Sequence, residues 1–188
     1  MSAAENSLPA TKRQGTESIS FRLNAEDLER LRNLAAERKE SLNSIVSQII
    51  DKYLKIWIFD HSYGFFPISI GVLRSALTNL NDKAISDIAS EQASKVHKGI
   101  ILDLYGKITK ETVVNYLDVF ASRFESAKHH RDGRMHTLTV FHGVDSVQFS
   151  KLHYDITSSV LRLAKIETIE SGREIGENNF AISFEASI

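Results

Sequence analysis

Three histidines are the first side chains in this sequence that could do chemistry together. His136 and His142 lie on one face of a predicted strand, and His153 lies on the helix predicted to follow it. Neutral imidazoles bind Zn, Ni or Cu, and Asp145 or Asp155 could complete such a metal site. Polar histidines at strand ends and on a solvated helix face are the commoner meaning of this pattern, so we predict no metal and no other cofactor.

The remaining polar residues form no catalytic motif. The sequence contains no G-x-S-x-G, no G-x-x-x-x-G-K-[ST], no H-E-x-x-H and no G-x-G-x-x-G after a strand. It also has no cysteine, which excludes thiol catalysis, thiolate metal sites and disulfides. Asp103, Glu111 and Asp118 have the spacing of a solvated helix face, and His129-His130 lies in a basic run expected on the surface. The sequence therefore predicts that the protein is not an enzyme.

The composition is typical of a folded globular protein. The 188 residues are 42% hydrophobic and 25% charged, enough for one ordinary domain or two small ones. No apolar run approaches the roughly 18 to 20 residues of a membrane span, and the chain does not begin with a signal-peptide core. We expect a cytoplasmic protein without a membrane partner. Because the formal net charge is −1, any nucleic acid would have to be bound by a few placed groups rather than by a polycationic surface.

The first third of the chain has the pattern of an arm, a strand and two helices. Residues 1–16 lack an apolar period and are predicted to form a flexible arm. Residues 17–23 alternate strictly and predict a strand, and Asn24 and Ser41 are placed to cap the two helices. An apolar stripe covers four turns of the second helix, over residues 42–57. The two faces of the strand carry apolar Ile19, Phe21 and Leu23 and polar Ser18, Ser20 and Arg22.

The unit formed by residues 17–57 cannot bury its apolar surface alone. About 40 residues with a single strand leave two open strand edges, and the helical stripe is too broad for one short helix to cover. A second copy removes both problems, because the strands can pair as an antiparallel ribbon and the second helices can pack on each other. We therefore predict a homodimer. Its interface is expected to contain Ile19, Phe21, Ile45, Ile49 and Tyr53.

This order of elements resembles the ribbon-helix-helix (MetJ/Arc/CopG-like) superfamily of DNA-binding proteins. The matching parts are residues 18–24, the helix over residues 25–38 and the turn at residues 41–44. In that family the ribbon enters the major groove of double-stranded DNA with its outward side chains against base edges. Arginine can bind guanine with two hydrogen bonds, and a serine hydroxyl can donate or accept one. The resemblance thus implies that the base-reading residues are Ser18, Ser20 and Arg22.

Two further groups are predicted to contact phosphates. In the ribbon-helix-helix family the N-terminus of the second helix abuts a phosphate, where backbone amides and the helix dipole favour an anion. The resemblance transfers this role to Ser41, Leu42, Asn43 and Ser44. The basic pair Lys12 and Arg13 in the arm is a second candidate for a phosphate contact, and a solvated tail is the alternative.

Residues 58–188 predict a second domain of the α+β class. The expected order is a packed connector, three helices, a surface loop and a β-α-β-β unit. The bounds are a connector at 58–67, a helix opened by Asp82, a helix after Thr109, a loop at 126–133, a strand at 135–142, a turn at 172–179 and a final strand at 180–185. We expect this domain to serve oligomerisation or sensing.

The resemblance implies a prokaryotic, sequence-specific transcription regulator that acts as a homodimer or tetramer. Two alternatives stay open. An antitoxin-type ribbon-helix-helix protein would use its C-terminal part to bind a protein partner. A metal-responsive repressor would hold a metal there, but residues 165–170 lack the paired histidines of the nickel-responsive repressors, and we name no effector.

Overall fold

The computed structural model describes residues 19–20, 22–65 and 67–187, which form two compact units that divide between Ile49 and Ile50. This division lies eight residues before the boundary predicted after residue 57. The architecture belongs to the α+β class, as predicted, with helices throughout the N-terminal two thirds and a four-stranded antiparallel sheet.

Two capped helices begin in the first unit. Helix α1 (Ala25–Arg38) starts where the Asn24 side chain accepts a hydrogen bond of 2.8 Å from the N–H of the third helical residue. Helix α2 (Leu42–Lys52) starts in the same way, with Ser41 Oγ accepting from the third N–H at 3.1 Å. Both caps satisfy an amide that has no partner within the helix. The helix starts predicted at Asn24 and Ser41 are therefore confirmed.

Helical structure continues beyond α2. A π-helical stretch, Tyr53–Trp57, is followed directly by α3 (Ile58–Ser62). The prediction of a connector from residue 58 is therefore wrong for its first five residues. The reason is burial, because the aromatic side chains of Phe59, Tyr63 and Phe65 pack against the hydrophobic core of the second unit.

Four more helices precede the sheet. They are α4 (Ile70–Thr78), α5 (Asp82–Glu91), α6 (Lys98–Tyr105) and α7 (Lys110–Ala121). A second π-helical stretch, Gln92–His97, joins α5 to α6. The cap of α5 is Asn81 and not Asp82, because the Asn81 side chain accepts from the N–H of Ala84 while Asp82 is already helical. Thr109 caps α7 as predicted.

The sheet contains β1 (Ser126–Asp132), β2 (Met135–Phe141), β3 (Thr168–Ile175) and β4 (Asn179–Glu185), in the antiparallel order β1-β2-β4-β3. Helix α8 (Val147–Leu163) connects β2 to β3 and packs, with α7, on one face of the sheet. That face holds the even-numbered residues of the two central strands, such as Leu138 and Ile182, which are fully buried. The side chains on the opposite face are partly exposed along β2.

Two predictions for the sheet are wrong. The expected loop at 126–133 is the edge strand β1, paired with β2 over seven residues. This edge strand buries only the polar His129 side chain, so it shows no hydrophobic alternation and its polar sequence resembled a loop. The expected turn at 172–179 is shorter, because Gly172 to Ile175 belong to β3 after a bulge and only residues 176–178 connect the strands. The strand predicted at 180–185 is confirmed.

Aromatic rings and three histidines, His97, His142 and His153, pack in a row through the core of the second unit. His153 lies edge-on to Phe124 with ring centroids 4.9 Å apart, and a 2.5 Å hydrogen bond links His97 Nδ1 and Tyr116 Oη. Burial lowers the pKa of His97 to about 4 and that of His153 to about 3, with neighbouring charged groups adding to both shifts. Both imidazoles are therefore neutral at physiological pH, and they serve as core side chains.

Candidate functional site

The described residues of the predicted base-reading segment are exposed and form no assigned strand before α1 begins. Ile19 is 81% exposed, and Ser20 and Arg22 are exposed as well. Asn24 has extended backbone angles, and none of the described residues 19, 20 and 22–24 pairs with another strand of the chain. Such a segment has its backbone groups available for pairing with a second copy. Ser18, Phe21, Lys12 and Arg13 lie outside the described residues.

The N-terminus of α2 has a neighbour that the sequence did not reveal. Glu40 accepts a 2.6 Å hydrogen bond from the Ser44 hydroxyl and a second one from the Gln48 amide, and these hydrogen bonds lower the Glu40 pKa. A carboxylate thus occupies part of the predicted phosphate site. Ser41 caps the Ser44 N–H, while Leu42 and Asn43 supply the first two amides of the helix. A phosphate at this position would meet a negative charge as well as the helix dipole.

Large hydrophobic side chains stay exposed along α2 and the π-helical stretch after it. Six of them are between 41% and 55% exposed, namely Ile49, Ile50, Tyr53, Leu54, Trp57 and Ile58. We call these six residues the apolar face. Ile45, which we expected at a dimer interface, is instead only 1% exposed within the single chain. Its burial inside one copy makes it a core residue, so the exposed positions predicted for the interface are Ile19, Ile49 and Tyr53.

The three histidines considered for a metal do not come together. His136 stacks on Phe184 with centroids 5.1 Å apart, while His142 and His153 contact Phe149. Among the residues that the structure describes, no group of three or more His, Asp or Glu side chains is placed to hold a metal ion.

His142 has a structural role that fixes its tautomer. Its Nδ1 accepts from the Val144 N–H at 3.2 Å, so Nε2 carries the proton and donates to Ser150 Oγ at 2.7 Å. The Ser150 hydroxyl in turn donates to the Gly176 carbonyl at 2.6 Å. This chain of hydrogen bonds ties the end of β2 to α8 and to the turn before β4.

A second polar cluster joins α7 to β1. Asp118 accepts hydrogen bonds of 2.6 Å from His129 Nδ1 and from the Arg131 guanidinium, and His129 Nε2 lies 3.2 Å from His136 Nδ1. Burial alone would raise the pKa of Asp118, but its hydrogen bonds to His129 and Arg131 and their positive charge outweigh that effect and lower it. The His129 side chain is only 8% exposed, so the prediction of a surface histidine is wrong, and Asp118 does not lie on a purely solvated face.

This cluster borders a cleft of about 330 Å³ between α7 and β1, which Ser122 and Glu125 also line. Sequence reasoning missed the cluster because it took β1 for a loop. The Asp132-Gly133 pair before an alternating segment was the available signal for a hairpin, and Gly133 does adopt a positive φ of 58° there.

No helix among the described residues is long and apolar enough to cross a membrane. The chain matches no family model, and comparisons with curated proteins and with solved structures found no similar protein.

Proposed function

We propose that this protein is a homodimeric, sequence-specific DNA-binding regulator of the ribbon-helix-helix type. Residues 18–23 of two copies pair as a ribbon that enters the major groove, where Ser18, Ser20 and Arg22 face the bases. The first amides of α2 in each copy contact flanking phosphates. Residues 58–188 stabilise the assembly or sense a signal.

The observation that carries this proposal is the exposed apolar face. Soluble proteins rarely leave six large neighbouring hydrophobic side chains half exposed without a partner. Two capped helices and an exposed segment before α1 are compatible with the order of elements that the ribbon-helix-helix dimer requires. A second copy would cover the apolar face and pair with this segment.

Selection of bound sequences from random double-stranded DNA by the purified full-length protein tests the proposal. We expect enrichment of a site with two related half-sites, because a two-fold symmetric ribbon meets two-fold related base pairs. A pool that remains random after repeated rounds would reject sequence-specific binding.

Arg22→Ala is expected to weaken binding to the selected site by about 1 to 3 kcal/mol, which is roughly fivefold to 150-fold, and to affect random DNA far less. The reason is that a guanidinium bound to a base edge contributes only on the correct sequence. Fluorescence anisotropy on both DNAs measures the difference. Arg32→Ala is the matched control, because Arg32 is an exposed arginine on α1 and its loss removes the same charge. Equal losses on selected and random DNA would make Arg22 a phosphate contact.

Glu40→Gln is expected to strengthen DNA binding about twofold to fivefold, because it removes a carboxylate from the helix end that would meet a phosphate. The glutamine keeps an oxygen that can accept from Ser44. Glu37→Gln, at an exposed position of α1, makes the same change in net charge and controls for long-range electrostatics. If both variants bind DNA equally well at low salt, the N-terminus of α2 is not beside a phosphate.

A further inference from the structure

The face of the sheet that points away from the helices has an unusual distribution of charge. The side chains of β2 on this face are Met135, Thr137, Thr139 and Phe141, and those of β4 are Asn179, Ala181, Ser183 and Glu185. The two central strands thus place a single charge there, at one end. Met135 and Phe141 are 42% and 46% exposed. Ala181 and Ser183 are buried within the single chain, so the part of this face that stays open lies along β2, where the exposed Met135 and Phe141 flank two threonines without a charge.

Charges of opposite sign lie on the two sides of this face. Lys128 on β1 is paired with Thr139, Thr139 is paired with Ala181, and Ala181 is paired with Glu174 on β3, so both charged residues stand on the open face in the same cross-strand row. Both are exposed. The bulge of β3 brings Gly172 against the Ser183 side chain, which leaves β1 and β2 as the more accessible part of the face.

We infer that the open faces of two copies of this sheet pack on each other, related by a two-fold axis that runs parallel to the strands near β2. Rotation about this axis leaves each residue at the same position along the strand direction and exchanges the β1 edge of the sheet with the β3 edge. It therefore brings Lys128 of each copy toward Glu174 of the other, over a centre of Thr137 and Thr139. A two-fold axis across the strands would instead place Lys128 over His130 of the other copy and bring basic side chains together.

The area explains why this contact needs the rest of the molecule. Three strands of seven residues and one of eight cover roughly 19 Å by 24 Å, which is at most about 450 Å² per copy and about 900 Å² for a pair. Stable independent dimers bury about 1,200 Å² or more. The inference therefore rests on the proposed function, since two copies already joined through the proposed ribbon and the apolar face hold the sheets at a high effective concentration.

Cysteine cross-linking tests this arrangement, because the chain has no cysteine of its own. Thr139→Cys, a nearly isosteric change on the open face, is treated with a short bismaleimide in the full-length protein. We expect covalent dimers whose yield does not depend on protein concentration. Ser94→Cys, at an exposed position of the helical layer, is the negative control for random collision. Ile50→Cys, on the apolar face, reports separately on the proposed ribbon-helix-helix dimer.

The four outcomes separate the two proposals. Cross-links at both positions support both. A cross-link at position 50 alone overturns the sheet contact and leaves the proposed function in place, and one at position 139 alone supports the sheet contact and rejects the proposed dimer. Failure at both positions, with yields like that of Ser94→Cys, rejects both.

Charge-reversal variants of the Thr139→Cys protein test whether Lys128 of one copy faces Glu174 of the other. In that protein, Lys128→Glu should lower the cross-linking rate about twofold to fivefold because it places two negative charges together, and the further change Glu174→Lys should restore the rate. Both side chains are exposed, so neither change threatens folding. If the double reversal cross-links no faster than Lys128→Glu alone, the two residues do not face each other and the two-fold arrangement is wrong.

Discussion

Ile49→Glu should separate the subunits and abolish DNA binding. Ile49 is 41% exposed within the single chain, at the start of the apolar face that we propose a second copy covers. A dimer would bury one glutamate from each subunit in an apolar contact without a partner charge. That burial costs about 3 kcal/mol or more, which raises the dissociation constant of the dimer over a hundredfold. Sedimentation equilibrium and anisotropy on the selected DNA site measure the two effects together.

The matched control for this change is Leu102→Glu. Leu102 lies on α6 and is 40% exposed, so the substitution has the same chemistry and nearly the same exposure away from the proposed interface. We expect Leu102→Glu to remain a dimer with ordinary DNA affinity. An Ile49→Glu protein that stays dimeric, or a folded monomer that still binds the selected site, would contradict the model.

The stability of the second unit should fall steeply below pH 6.5, and His153→Leu should reduce that dependence. The folded pKa values of His97 and His153, about 4 and about 3, lie below the unfolded value of 6.5. The unfolded chain therefore binds more protons, so stability is full above pH 6.5 and is lost as the pH falls toward the folded values. At pH 4.5, each buried histidine has lowered the free energy of unfolding by about 3 kcal/mol. The two losses together are a large part of the roughly 5 to 15 kcal/mol by which a typical domain is stable.

Urea unfolding between pH 7 and pH 4.5 measures this effect. His153→Leu keeps an apolar side chain of similar size against Phe124 and Phe149 and removes one of the protons taken up on unfolding. Its free energy of unfolding should therefore depend less steeply on pH in that range. His130→Leu, at an exposed position of β1, should leave the slope unchanged. An unchanged slope in His153→Leu would show that His153 is protonated in the folded state.

The features that the sequence predicted well are local ones. Asn24, Ser41 and Thr109 act within three residues of their own positions, so each helix start could be placed from a few neighbouring letters. The period of α8 was recognisable because this helix has one buried and one exposed face, and the final strand was recognisable from its alternating large apolar residues Phe180, Ile182 and Phe184.

The features that it did not predict depend on distant partners. Asp118 contacts His129 only because β1 pairs with β2 and lies against α7, and no sequence pattern within β1 predicts that contact. Glu40 contacts the start of α2 by accepting a hydrogen bond from the Ser44 side chain, and nothing in the polar sequence around Glu40 indicated this contact. Ile45 belonged to the same stripe as Ile49, yet one is buried and the other exposed, since packing within the chain divides a stripe that periodicity treats as uniform.

The π-helical stretch Gln92–His97 fixes the number of residues between α5 and α6. The buried positions Ile85, Ala89, Ala93 and His97 recur every four residues, a longer repeat than the 3.6 residues of an α-helical turn. The wider π turn takes up this excess and keeps the four side chains in line. Loss of one residue there would turn everything after it by about 100° and swing Ile100 and Ile101 out of the core. The exposed positions of this stretch, such as Ser94 and Lys95, can therefore be substituted, whereas a change in the number of its residues would require rebuilding the packing of α6.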